Sequence, residues 1–289
     1  MDICFDTSAF NALCDDPDAS RLSQGIRKSH RIPISSVNIV EVVATPDQNR
    51  RRALIECMRS VWDETRPLVM PNKLIRRATR AFVRPRAKVM LTITSEDAPF
   101  WQLLDHPEDA GAAEQAEALA WKDSLEVPFK EAHREGRPSF QELFERDPSS
   151  RPRSVSDLIR SFADRSKGGG AMYDVVRQIF KKETGKFLSR DAMWRLFLMV
   201  PHWPLYLAGR GHEMFTRAMR LSHYGPKGKP GSLDLWCAVY LPHCDEMVTN
   251  DKGQYRALRL LNVLSKRVPP GVSRTRVLTY QRFRREIIG

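Results

Sequence analysis

The chain has 289 residues, a formal net charge of +12 and a pI near 9.7, so it is long enough for one large domain or two small ones with a sizeable core. No window approaches the ~18 consecutive apolar residues of a membrane span. The N-terminus also lacks the basic and apolar blocks of a secretory signal, so a soluble, cytoplasmic protein without membrane contact is expected.

Five cysteines (Cys4, Cys14, Cys57, Cys237 and Cys244) form an odd set with no C-x-x-C pair. A disulfide framework or a zinc site is therefore disfavoured, and buried free thiols are expected. The positive balance attracts polyanions, with nucleic acid first among them. A generally basic protein without such a partner has the same charge.

Residues 2–6 read as a short buried strand ending on Asp6, and "TSAFNALCDD" as a helix with Ala9, Phe10, Ala12 and Leu13 on its apolar face. Ile32 to Ser35 looks extended. Ser36 or Asn38 then caps a helix carrying Val40, Val43 and Ala44, with Glu41 in its first turns. Leu54, Met58 and Val61 recur at helical spacing. "RPLVMP" reads as a third strand and "NKLIRRATRAF" as a basic helix. This β-α alternation argues for a parallel sheet with helices on its faces.

From about 86 to 229 the pattern is helical and rich in aromatics, including Trp101, Trp121, Phe180, Trp194 and Trp203. A helical unit with its own small core is expected there. "LDLWCAVYLP" then reads as a helix stopped by Pro242, and "EMVTND" as a strand ending on a carboxylate. "GQYRALRLLNVLSK" reads as a helix and "RVLTYQRF" as a final strand. The α/β unit, residues 1–85 and 230–289, is thus split by an insertion, 86–229.

Asp6 and Asp251 each follow an apolar strand, so both belong at the carboxyl edge of a parallel sheet, where functional groups collect. Glu41 and Asp234 lie near the N-termini of helices that leave such an edge. Converging carboxylates repel one another unless some take up protons or a cation joins them. Hard divalent ions such as Mg²⁺ or Mn²⁺ resolve that conflict through oxygen ligands. Two such ions ~3.5–4 Å apart stabilise phosphodiester cleavage, and one suffices to activate water.

"FDTSAF" at 5–10, "SSVNIVEVVA" at 35–44 and "SLDLWCAVYLPHCDEMVTND" at 232–251 resemble the motifs of the PIN nuclease family. The resemblance covers residues 1–85 and 230–289 and departs from the family in the long insertion. It implies a three-layer α/β/α sandwich around a mostly parallel sheet, and a Mg²⁺- or Mn²⁺-dependent endoribonuclease. It implies Asp6, Glu41, Asp234 and Asp251 as the catalytic, metal-binding acids, with Thr7 and Thr249 supporting them. Many members of the family are toxins, which implies an antitoxin or regulatory protein as partner besides the RNA substrate. A DNA-directed nuclease, a non-catalytic RNA- or protein-binding module and a homodimer stay among the alternatives.

Each acid also has a plainer reading. Asp6 caps a helix. Glu41 and Asp234 favour helix N-termini. Asp251 begins a turn with Asn250. Asp245 is an outside candidate for a ligand.

The run "IRRATRAFVRPRAK" brings Arg76, Arg77, Arg80, Arg84, Arg86 and Lys88 close together. It reads either as a phosphate grip or as a solvated helix face, and "RFRREIIG" is a smaller second cluster. The seven histidines show no H-x-x-x-H pair, and "SKGGGA" lacks the order of a P-loop.

Overall fold

The computed structural model describes residues 1–65, 67–84, 91–93, 100–158, 170–219, 232–265 and 275–289. Three short strands, β1 (Ile3–Phe5), β2 (Glu246–Thr249) and β3 (Arg276–Thr279), form a parallel sheet in that order. Ile3 faces Glu246, and Glu246 faces Arg276. Parallel bridges extend the sheet beyond β1: Asp2 to Arg31, Ile32 to Trp62 and Ser35 to Leu68. Leu68 also bridges Thr92 in the antiparallel sense. The expected second and third strands are therefore present as bridged segments rather than full strands.

Across this surface the chain order reads third, second, first, fourth, fifth. That is a doubly wound order, and its switch point lies between β1 and β2. Ligands of open α/β sheets bind in the crevice at such a point, beyond the carboxyl ends of the strands.

Strand residues alternate between two hydrophobic clusters, as the pleat requires. Ile3, Phe5, Val248 and Leu278 belong to one cluster, and Cys4 and Met247 to the other. The first cluster takes in α1 (Thr7–Cys14), α2 (Ala19–Ser29), α3 (Ser36–Val43), α4 (Gln48–Val61) and Phe283 near the C-terminus. The second takes in α5 (Pro71–Val83) and the later helices. The molecule is thus mixed α/β, mostly helical with a small three-stranded parallel sheet.

The insertion contributes α6 (Ala112–Arg146), α7 (Gly170–Thr184), α8 (Arg190–Met199) and α9 (His202–Glu213). Most of its buried side chains do not form a core apart. Val176, Phe180, Leu196, Phe197, Trp203 and Leu205 join the cluster that holds Cys4 and Met247. Trp203 is fully buried, and its Nε1 donates to Thr79 Oγ1 of α5 at 3.0 Å. Among the described residues, Phe144, Leu158 and Phe215 form a small separate group. The aromatic spacing identifies buried faces, but not which neighbour buries them.

Local signals explain the other departures. Ser35, one residue before the expected cap, opens α3: its hydroxyl accepts from Asn38 N, and Asn38 closes a capping box. The α2 helix buries only Leu22 and Ile26, so its apolar signal is thin. α10 (Ser232–Trp236) continues as a 3₁₀ segment, Cys237–His243, that runs past Pro242. α11 (Lys252–Ser265) follows β2. The last strand stops at Thr279, which caps α12 (Tyr280–Ile288) by accepting from Arg282 N.

All five cysteines are unpaired thiols, with Cys4, Cys237 and Cys244 buried. Among the described residues no helix is long and apolar enough to cross a membrane.

Candidate active site

Asp6 directly follows β1, and its backbone N–H donates to Val248 O of β2, so it stands at the switch point. It is buried, 5% exposed, and it is the N-cap of α1. Its Oδ1 accepts from Ala9 N at 2.7 Å and Ser8 Oγ at 2.9 Å. Its Oδ2 lies 2.8 Å from Ser8 Oγ and accepts from Thr249 Oγ1 at 2.7 Å. The cap reading and the site reading of Asp6 therefore hold together.

Glu41 projects from α3, and its Oε2 accepts from Thr7 Oγ1 at 2.6 Å. Asn38 Nδ2 in turn donates to Thr7 Oγ1 at 3.3 Å and to Phe5 O at 3.2 Å. The capping residue of α3 thus ties that helix to the end of β1. Lys122 Nζ, from α6, lies 3.9 Å from Glu41 Oε1.

Electrostatics draw a third acid into this group. The Asp6 carboxyl is pushed up to about 7, chiefly by burial; hydrogen bonds from Thr249, Ala9 and Ser8 work against this, while Asp234 adds to it. Glu41 is likewise pushed up to about 7, first by burial and then by Asp234. The buried Cys237 thiol is raised by burial and then by Glu41, Asp234 and Asp6 together. One side chain thus feels all three carboxylates. Carboxyls whose charge is this unfavourable are a mark of a functional site.

Asp251 is placed differently. It is exposed, and its Oδ1 accepts from Gln254 N at 2.7 Å, capping the start of α11. Its backbone N–H reaches Ser8 Oγ and Thr249 Oγ1, each at 3.0 Å. Asp251 is therefore joined to Asp6 through two hydroxyls, with its carboxylate at the rim. Asp245 directly precedes β2 and accepts from Asp2 N, which puts it at the amino edge of the sheet, away from the acids.

Among the described residues, no group of three or more His, Cys, Asp or Glu side chains stands in position to hold a metal ion. The Asp6 and Glu41 carboxylates are turned toward hydroxyls and amides instead. The donor chemistry still fits a hard cation: three carboxylates, with the hydroxyls of Thr7, Ser8 and Thr249, offer oxygen ligands only. An ion there would also offset the burial and the Asp234 charge that together raise the Asp6 and Glu41 carboxyls.

Three contributors are absent from the sequence reading. Ser8 accepts from Asn250 N at 2.8 Å and links the ends of β1 and β2, which "DTS" alone does not reveal. Gln254 receives the Thr249 hydroxyl at 3.0 Å and reaches Asp234 O at 3.3 Å. Lys122 comes from the insertion, where no motif marks it. The α6 helix that carries it packs on both α3 and α10, so it lies across the acids.

The basic run is mostly engaged. Arg80 Nη2 lies 2.6 Å and Arg76 Nε 3.4 Å from the buried Glu183 of α7. Arg77 donates to Thr92 O at 2.8 Å. Arg84 is exposed at the C-cap of α5. Arg86 and Lys88 lie outside the described residues. In the tail, Arg282 and Arg284 are paired with Glu286 and with Asp16 and Asp18.

No family model matches the chain, and no curated protein or solved structure matches it.

Proposed function

We propose that the protein is a Mg²⁺- or Mn²⁺-dependent nuclease with a PIN-like three-layer core, acting on RNA. The observation that carries this is the trio Asp6, Glu41 and Asp234: Asp6 is buried at the switch point, Glu41 and Asp234 are half-buried, and all three carboxyls raise the Cys237 thiol beyond the effect of its burial. A basic protein that sets Asp234 near enough to raise both the Asp6 and the Glu41 carboxyl has an arrangement suited to a cation and a phosphate.

Asp6, Glu41 and Asp234 would hold the ion, with Asp251 as the fourth acid at the rim. When bound, a divalent ion polarises the phosphate and makes water a better nucleophile. The chain's own residues supply the rest. Thr7 fixes the Glu41 carboxylate, while Ser8 and Thr249 fix Asp6. Lys122 offers a cation beside Glu41 for a non-bridging phosphate oxygen. Arg84 and the exposed parts of Arg76 and Arg80 lie in the run expected to grip the strand through its backbone, which carries no sequence information.

A second reading has an observation of its own. Both Asp6 oxygens are engaged, Oδ1 by Ala9 N, Oδ2 by Thr249 Oγ1 and the pair by the one Ser8 hydroxyl, and Asp251 caps a helix. A non-catalytic RNA- or protein-binding module keeps such a network without needing an ion.

Digestion of labelled single-stranded RNA, single-stranded DNA and duplexes separates these readings. The nuclease reading expects Mn²⁺-dependent cleavage of RNA that disappears in both Asp6→Asn and Asp251→Asn. Cleavage of DNA alone changes the substrate, and undiminished cleavage by both variants removes the acids from the mechanism.

A further inference from the structure

Beside the acids lies a cavity of about 260 Å³. Its walls come from α5, α6, α7, α9 and α10, so the insertion builds half of it. Tyr206 and Trp236 supply two aromatic walls, with ring centroids 6.2 Å apart and planes 54° apart. Ile75, Ile179 and Leu125 supply aliphatic surface. Asn72 and Arg76 stand at the polar side.

Chain connections place the cavity next to the acids. Leu125 is less than one helical turn from Lys122, the partner of Glu41, and Trp236 shares the short α10 helix with Asp234. α6 packs on both α3 and α10, bringing these walls together.

The polar groups are available. The Tyr206 hydroxyl makes no hydrogen bond among the described residues. The Asn72 carboxamide oxygen accepts from Lys73 N at 2.8 Å, leaving its amide hydrogens for another acceptor. The Arg76 side chain is 45% exposed while it touches Glu183. A cavity with aromatic and aliphatic walls, an amide, a phenol and a guanidinium at its mouth has the chemistry of a nucleobase site.

We propose that this cavity receives one unpaired base of a single-stranded RNA, with Arg76 holding an adjacent phosphate, and so sets which bond reaches the acids. The proposal rests on the nuclease reading above. A base stacked in a duplex cannot enter a recess between helices, so the cavity selects single strands or extruded bases. An apolar protein side chain would leave the Asn72 amide hydrogens and the Tyr206 hydroxyl unanswered, which is why a base fits better.

The test uses the full chain with Asp6→Asn, which keeps the strand intact, and short single-stranded RNAs carrying 2-aminopurine at one position at a time. Fluorescence should fall strongly at one position only, as that base meets Tyr206 and Trp236. Ser124→Trp, at an exposed position on the cavity rim, should abolish that quench and weaken strand binding by ~10-fold. Tyr206→Phe keeps the wall and should weaken binding several-fold, which serves if the tryptophan variant does not fold. Strand binding without a position-specific quench, or a quench that survives Ser124→Trp, overturns the cavity and leaves the acids untouched. No binding of any strand overturns the inference together with the nuclease reading.

Discussion

The acids at the switch point and the arginines of α5 are both clusters of like charge, yet the fold treats them in opposite ways. The arginines stay at the surface and are answered: Arg76 and Arg80 by Glu183, Arg77 by a carbonyl. Asp6 is buried and Glu41 half-buried, and besides Lys122 beside Glu41 both feel another acid, Asp234. Carboxyls raised by burial and further by a neighbouring acid are the pattern that makes a cluster a candidate functional site. A long basic run, by contrast, is compatible with plain structural pairing.

The sharpest way to break this contrast is Asp6→Asn. Asparagine caps a helix as well as aspartate does, so α1 should stay intact. Mn²⁺-dependent cleavage should fall by more than the ~10–100-fold that loss of an outer-shell partner costs. Circular dichroism and activity, measured side by side, check both halves.

Next comes pH. The Asp6 and Glu41 carboxyls sit at about 7 in the folded chain, against 3.8 and 4.5 for unperturbed groups. Between those limits the folded state binds more protons than the unfolded one. The stability tied to these groups is therefore complete below about pH 4 and is lost as pH rises through about 7. Metal-free protein should melt at lower temperature at pH 8 than at pH 6, and Mn²⁺ should narrow the gap. A melting temperature indifferent to pH would place the carboxyls at ordinary values.

On the basic side, Glu183→Gln should cost about 1 kcal/mol, because both arginine partners are half exposed. Denaturant titration reads this directly, and cleavage should persist. The smallest effect expected is that of Lys122→Met. It removes a cation 3.9 Å from Glu41 and should tighten Mn²⁺ binding a few-fold while weakening RNA binding. Weaker Mn²⁺ binding would mean that Lys122 organises the acids instead of competing with the ion.

The sequence makes one half of this contrast legible. Apolar strands that end on Asp6 and shortly before Asp251 place both at one sheet edge, since a parallel sheet aligns its carboxyl ends. Glu41 and Asp234 follow from the helices that leave that edge. What stays hidden depends on distant partners. Asp251 reads as an equal ligand until Gln254 N is seen to take its carboxylate. The basic run reads equally as a phosphate grip or a solvated helix face because Glu183, 103 residues beyond Arg80, cannot be paired with it from spacing. The insertion reads as a separate unit because periodicity reports that Trp203 or Phe180 is buried, without saying that it lies against α5 and the sheet.

The most direct measurement is a calorimetric Mn²⁺ titration of the wild-type chain and of Asp6→Asn at pH 8, where Asp6 and Glu41 are ionised. The account predicts saturable binding to the wild type, with release of few protons, and little or none to the variant. A wild-type chain that binds no Mn²⁺, or a variant that binds it equally well, would contradict it.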